Sequence, residues 1–303
     1  MIAPPPMARQ RTVAKASVLV EALPFMREHR GKTIVVKYGG APLEAAPLAR
    51  SFAEDVALLQ SAGIHVVIVH GGGPQLTEVA TRLGLETRFV EGLRVTDAET
   101  LDVATMVLAG KLNTAVVAAL AVGGVPAVGL SGVDGGLLIA RRRSDPDLGF
   151  VGEVAHVNPG VVLALLDRGF VPVVASIAVD DGGQAYNVNA DVVAAELAIG
   201  LEAQKLVYLS DVPGVIGPGG DLLSELAVSR AEELLAMRGV VGGGMIPKLR
   251  SAVLAIGAGV DRAHLVDGRL QHSLVLELFT QEGIGTMVTA DVPPVEPDVR
   301  EAS

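Results

Sequence analysis

Apolar residues in this 303-residue chain gather in short unbroken runs instead of alternating with polar ones. Thr33–Lys37 leads into Tyr38-Gly39-Gly40, His65–Val69 into His70-Gly71-Gly72-Gly73, and Val128–Leu130 into Ser131-Gly132. Val171–Ala175 leads into Ser176, Leu206–Leu209 into Ser210-Asp211, and Ala263–Val266 into Asp267-Gly268. Runs of Val, Ile and Leu without alternation predict strands buried on both faces, as in a parallel sheet. Between them, Asp97–Val122 and Ala190–Gly200 carry helical apolar spacing with Asp or Asn near their starts. Alternating strand and helix units predict a doubly wound α/β sheet. In such sheets ligands bind outside the carboxyl ends of the strands, where these glycines lie.

Two segments fall outside the pattern. Residues 1–10 are expected to be disordered, and residues 12–30 read as an amphipathic helix interrupted by Pro24. A weak domain boundary is expected near residues 180–205. The longest run without a polar side chain, Ala115–Leu130, has 16 residues and contains Gly123-Gly124 and Pro126. A membrane-spanning helix needs about 20. The run predicts the end of a buried helix, a turn and the next strand, and no membrane partner. The opening MIAPPPMARQ lacks the apolar core of a signal peptide, so a cytoplasmic location is expected.

Composition narrows the classes. Half of the residues are apolar and 19% are charged, enough for a buried core and against disorder over most of the length. At roughly 150 residues per domain the length allows two domains or one large one. A net charge of −10 disfavours nucleic acid. Without cysteine there is no disulfide, thiolate metal site or Cys nucleophile. No His, Asp and Glu grouping has metal-site spacing, and Ser131 and Ser176 lack the G-x-S-x-G context of an esterase.

The candidate chemistry lies in the glycine clusters. Only six lysines stand against 18 arginines, and two of the six adjoin glycines: Lys37 in VKYGG and Lys248 in GGGMIPK. An ammonium beside free backbone N–H groups suits a phosphoryl group, although a surface lysine before a tight turn reads the same way. His70-Gly71-Gly72-Gly73-Pro74 offers a second amide cradle opening onto a helix N-terminus. His70 itself reads as a packed, hydrogen-bonded histidine rather than an acid–base group. Asn187-Val188-Asn189-Ala190-Asp191 supplies either helix-capping groups or polar contacts to a substrate, with Asp191 able to align cations. Arg94 is either a carboxylate grip or a solvated side chain. No P-loop and no G-x-G-x-x-G occurs.

Taken in order, K-Y-G-G, H-G-G-G-P, G-L-R-V-T, N-V-N-A-D, S-D-V-P-G-V and G-G-M-I-P-K resemble the acetylglutamate kinases of the amino acid kinase family. The resemblance runs from about residue 12 to 290. It implies a three-layer α/β/α sandwich with a mainly parallel central sheet, preceded by an N-terminal helix. It divides the chain into an oligomerisation extension (1–30), an acetylglutamate-binding and dimerisation lobe (31–203), an ATP-binding and arginine-sensing lobe (204–295) and a tail (296–303). By the same resemblance Lys37 and Lys248 would stabilise the transferring γ-phosphoryl of ATP, with the amides of Gly40 and Gly72 on its oxygens and Asp191 orienting both lysines. Gly72, Gly73, Arg94, Asn187 and Asn189 would hold N-acetyl-L-glutamate. Asp211, Val212, Pro213, Gly214, Val215 and Ile216, with Val240, Val241, Gly242 and Lys248, would line the ATP site. Mg²⁺ would travel with the nucleotide, and no protein metal ligand is expected.

The resemblance extends to an arginine-inhibited branch, in which an N-terminal helix interlaces dimers into a hexamer, a trimer of dimers. His264, Glu277 and Gly283 fall on its L-arginine site pattern, and a PII-type signalling protein is a partner to consider. Read without that pattern, Glu277 is a solvated helix charge and Gly283 a helix cap. Gly242-Gly243-Gly244 departs from the pattern in its glycine content, predicting a loop that is mobile until nucleotide binds. The competing readings are another amino acid kinase, such as glutamate 5-kinase or aspartokinase, and a catalytically silent arginine-sensing or scaffold protein on the same fold.

Overall fold

The computed structural model describes residues 20–40, 45–90, 92–237 and 239–291. The segments expected to be disordered (1–10) or a tail (296–303) lie outside these residues. Each apolar run becomes a strand: Thr33–Tyr38 (β1), His65–His70 (β2), Ala127–Ser131 (β5), Val171–Ala175 (β8), Lys205–Ser210 (β11) and Arg262–Asp267 (β13). With Glu225–Ala227 (β12) and Thr286–Thr289 (β14) they form an eight-stranded sheet in the order β12-β14-β13-β11-β1-β2-β8-β5. All neighbours pair in parallel except β13 with β14. β11, from beyond the boundary expected near 180–205, pairs directly with β1, so one sheet runs through both halves of the chain.

The period of two along each strand sorts side chains onto two faces. Val35, Val67, Val69, Val174, Leu206 and Tyr208 face one layer of helices, Gly160–Asp167, Ala190–Gly200, Val228–Ala236 and Met245–Gly257. Ile34, Val36, Ile68, Val173, Val207 and Val266 face the other, built from Ala46–Ser61, the end of the helix at 98–122, and Ser273–Phe279. The result is a three-layer α/β/α sandwich: the runs predict the doubly wound sheet, and the family resemblance implies the layering. A smaller sheet, β10-β9-β6-β7, is added by Leu138–Arg142 (β6), Gly152–Val157 (β7), Ile177–Val179 (β9) and Ala185–Asn187 (β10). Phe89–Val90 (β3) and Leu93–Arg94 (β4) make a separate hairpin.

Residues 20–29 are helical, and Pro24 does not interrupt them. Proline removes one helix hydrogen bond, but Ala22, Phe25 and Met26 pack on the sheet and hold the segment. Val20 and Leu23 are exposed there, while Val18 and Leu19 lie outside the described residues. The long apolar helix begins at Asp97, whose side chain accepts the Thr100 N–H at 2.8 Å. Its middle, Met106–Leu112, is a π-helix that the spacing does not predict, and Asn113–Val122 resumes the α-helix. The turn at Gly123-Gly124 and the strand from Ala127 follow as expected.

Candidate functional site

The site forms where β1, β2, β8 and β11 end, at the carboxyl edge of the sheet. Helix 190–200 starts there because the Asn189 carboxamide oxygen accepts the N–H groups of Asp191 (2.7 Å) and Val192 (3.4 Å). That cap places Asp191 in the first turn, where the helix dipole favours a carboxylate. Lys37 Nζ lies 3.0 Å from Asp191 Oδ1 and Lys248 Nζ lies 3.1 Å from Oδ2. Lys248 also donates to the Gly244 carbonyl at 3.3 Å. The Lys37 contact is an ion pair, off the direction of a well-formed hydrogen bond to Oδ1. Burial by itself would raise the pKa of Asp191; the charges of Lys37 and Lys248 outweigh it and hold the carboxyl below its usual range. The cluster therefore carries one net positive charge, both ammonium groups fixed by a single anion.

Two cavities open on either side of Lys37. The larger, about 520 Å³, is lined by Lys37, Gly40, Asp211, Val212, Pro213, Gly214, Val215, Ile216, Val240, Val241, Gly242 and Lys248. All the positions expected to line a nucleotide site are brought together here. Gly40 has φ +72, a backbone conformation that favours glycine, and a Cβ on it would lie 2.3 Å from an Asp211 oxygen unless that side chain moved. The smaller cavity, about 210 Å³, is lined by Lys37, Gly72, Gly73, Arg94, Asn187, Asn189 and Asp191 among others. A Cβ on Gly72 would meet Leu112 at 2.1 Å.

Arg94 is only 7% exposed, at the floor of the smaller cavity. Its guanidinium donates to the Gly73 carbonyl (3.0 Å), Thr77 Oγ1 (2.7 Å) and Thr87 Oγ1 (3.2 Å), and lies 4.8 Å from the centre of the Phe89 ring. No carboxylate pairs with it among the described residues, and burial lowers its pKa. A buried guanidinium with three of its five donors used by neutral groups is built to receive an anion. Of the two amides, Asn187 donates to Thr96 Oγ1 at 3.3 Å, and Asn189 lines the same cavity while its oxygen caps the helix. His70 is fully buried and hydrogen-bonded at both ring nitrogens, as a packed histidine should be.

A second buried polar group lies away from the cavities. His264 donates from Nδ1 to Glu277 Oε1 at 2.7 Å, and Glu277 Oε2 accepts the N–H groups of Ile284 (2.7 Å) and Gly285 (3.0 Å). Lys205 Nζ lies 3.4 Å from His264 Nε2. Glu277 is only 8% exposed, so it is no solvated helix charge, and Gly283 (φ +58) passes within contact of it. Burial opposes charge throughout the group. At Glu277 the His264 hydrogen bond and the amides prevail and keep the carboxyl low. At His264 burial prevails and keeps the imidazole below its usual value. Burial also pushes Lys205 down to about 8.

A sequence profile described as the amino acid kinase family matches residues 32–267. The chain belongs to the amino acid kinase family. Among its relatives, the acetylglutamate kinase of Symbiobacterium thermophilum is 50% identical over 290 residues, 92% of this chain and 99% of that one. N-acetylglutamate synthase from Neisseria gonorrhoeae, solved with coenzyme A and N-acetyl-glutamate, superposes with a TM-score of 0.82 at 31% identity, over 91% of this chain. The chain spans 64% of the length of that synthase. The same synthase solved with coenzyme A and L-arginine gives a TM-score of 0.79 at 29% identity over 91% of this chain.

In this amino acid kinase the charged groups of the candidate site stand in sequence motifs, and the groups that support them do not. Thr77, from the helix Gly73–Arg82, and Thr87, from the segment before β3, position Arg94, and Asn113 contacts His70 across 43 positions. None sits in a motif, and a lone threonine in a helix or a connecting segment carries no signal of its own.

Proposed function

We propose that this chain transfers the γ-phosphoryl group of ATP to the γ-carboxylate of N-acetyl-L-glutamate, releasing ADP and an acyl phosphate in arginine biosynthesis. What carries the reading is that the two cavities share Lys37, while Asp191 at the edge of the smaller one holds both Lys37 and the Lys248 of the larger; one cavity is sized for a nucleotide, the other floored by an anion-seeking arginine. A carboxylate oxygen of the acceptor attacks phosphorus in line as the bond to the bridging oxygen of ADP breaks. The acceptor is already ionised at pH 7, so no base is needed and no proton moves. What the protein supplies is alignment and opposing charge. Lys37 faces the transferring group from the acceptor side and Lys248 from the nucleotide side. The amides of Gly40 and Gly72 bind its oxygens, and Asp191 fixes both lysines. Arg94 grips a carboxylate of the acceptor, with Gly72, Gly73, Asn187 and Asn189 around the rest.

The larger cavity fits a nucleotide through its apolar wall and two ammonium groups. No group of three or more metal-ligating side chains occurs among the described residues, so Mg²⁺ would be held by the phosphates and add to the charge neutralisation. Further parts of the reading are a cytoplasmic enzyme, organised as lobes 31–203 and 204–295, whose N-terminal helix joins dimers into a hexamer. Arginine would act at His264, Glu277 and Gly283, where Glu277 would have to loosen its bond to His264 to meet a guanidinium. Whether a PII-type protein joins the assembly is a matter for a pull-down on the same preparation.

The test is ADP release from MgATP with N-acetyl-L-glutamate, glutamate or aspartate as acceptor, each with and without arginine. Turnover specific to acetylglutamate and suppressed by arginine supports the whole reading. Activity indifferent to arginine keeps the kinase and removes the effector site. No turnover with any acceptor returns the silent arginine-sensor reading.

A further inference from the structure

The amide of Gly72 can serve a phosphoryl group only if its peptide plane is held, and glycine is the residue least able to hold one. The structure contains a device that does so. His70 ends β2, and its Nδ1 lies 3.0 Å from the Gly71 carbonyl. Its Nε2 lies 3.1 Å from the Asn113 side-chain nitrogen, which also donates to the Val173 carbonyl at 2.9 Å and the Leu130 carbonyl at 3.3 Å. Two carbonyls on one side of Asn113 fix which end of its amide is the NH₂. The NH₂ shares its two hydrogens among these three neighbours and cannot accept one, so a ring N–H on Nε2 would point at a donor; the ring proton therefore sits on Nδ1 and is donated to Gly71.

That choice has a consequence one bond further on. The Gly71–Gly72 peptide is trans, and in a trans peptide C=O and N–H point in opposite directions within one plane. Anchoring the Gly71 carbonyl on His70 turns the Gly72 N–H the opposite way, and no described group takes that N–H up. The π-helical stretch places the far end of the relay. Leu108 and Asn113 are five positions apart and would diverge on an α-helix, whereas a turn of i→i+5 bonds brings them onto one face. Leu108 lines the smaller cavity, and Asn113 fits only because β5 has a glycine there: a Cβ on Gly129 would lie 2.0 Å from Asn113 Oδ1.

We propose that Asn113 and His70 are positioning residues that lock the Gly71–Gly72 peptide, through the Nδ1–H tautomer of His70, so that the Gly72 amide faces the transferring phosphoryl group. The proposal rests on the kinase reading of Gly72, but its first test does not. Long-range ¹H–¹⁵N NMR of ¹⁵N-histidine-labelled protein, with His70→Asn to assign the ring, should show His70 neutral and protonated on Nδ1. A ring protonated on Nε2, or on both nitrogens, overturns the proposal whatever the enzyme does.

The second test compares two substitutions. An asparagine amide overlays Nδ1 and can still donate to Gly71, whereas a glutamine amide overlays Nε2 and cannot. His70→Asn should keep kcat within about threefold of the parent, while His70→Gln should lose at least tenfold, with KM for both substrates moving less than about twofold. Equal losses in the two variants, or a loss confined to KM, would mean that the ring merely fills space. If the parent protein shows no acetylglutamate-dependent turnover, the kinase reading fails while the tautomer result stands by itself.

Discussion

Lys37 and Lys248 hold opposite oxygens of one buried carboxylate, at 3.0 and 3.1 Å. One comes from β1 in the middle of the sheet, the other from the first turn of helix 245–257. Neither could be buried alone at acceptable cost, and Asp191 could not be ionised there without them. In the proposed reaction their surplus charge becomes useful only when negative charge spreads over the transferring group. Lys37→Ala should therefore lower kcat by about a hundredfold or more while changing either KM little. Asp191→Asn should do the same, because both lysines lose their anchor. Steady-state kinetics over both substrates decides it: a change in KM alone would refute the assignment.

Arg94 leads to a different expectation. In the proposed complex it would bind a part of the acceptor that does not react, so Arg94→Ala should raise KM for acetylglutamate by about ten- to a hundredfold and leave KM for ATP near its starting value. Arg94→Lys should recover little, since a single ammonium cannot serve Gly73, Thr77 and Thr87 and still offer two donors. Kinetics matching the parent in Arg94→Lys would show that only the charge matters.

Much of this was legible in the sequence because the main sheet is buried on both faces, so its strands are plain apolar runs. The smaller sheet was not legible: β6 ends in Arg141 and Arg142, and β7 carries Glu153, so polar and half-exposed positions hide the pattern. The charged residues of the site stood out beside glycines. The relay behind them did not, because a π-turn has no side-chain signature and Asn113 reads as an ordinary polar residue in an apolar helix.

Residues 12–30 can be tested as a unit. Part of the helix packs on its own sheet through Phe25 and Met26, while Val20 and Leu23 face outward. Removing residues 1–30 should shift the proposed hexamer to a dimer in size-exclusion chromatography with light scattering. An unchanged mass would leave Val20 and Leu23 without the partner proposed for them.

Glu277 accepts three hydrogen bonds, and a glutamine there must turn an NH₂ toward at least one donor. Glu277→Gln should lower stability by about 1–3 kcal/mol and raise the arginine concentration for half-inhibition, without altering uninhibited turnover. Urea melts and inhibition curves on one preparation separate the two effects. Loss of turnover in parallel with loss of stability would mean that the group serves the fold alone.

Lys205 supplies the sharpest pH prediction. Its pKa is about 8 in the folded protein, against 10.5 for an ordinary lysine, because burial and then the charge of Arg262 disfavour the ammonium, with Glu28, Glu277 and Asp261 offsetting only part of the cost. Below pH 8 the ammonium is charged in both states, and its burial penalty is present in full. Between pH 8 and 10.5 the unfolded chain holds a proton that the native protein has released, so this residue makes stability rise with pH. Lys205→Met removes that dependence. The variant's stability minus that of the parent should then fall by about 2 kcal/mol as the pH is raised from 7 to 10. Urea midpoints at half-unit steps of pH measure the difference directly, and titrating groups remote from Lys205 cancel between the two proteins. A difference that stays flat across that range would place the Lys205 pKa at its ordinary value.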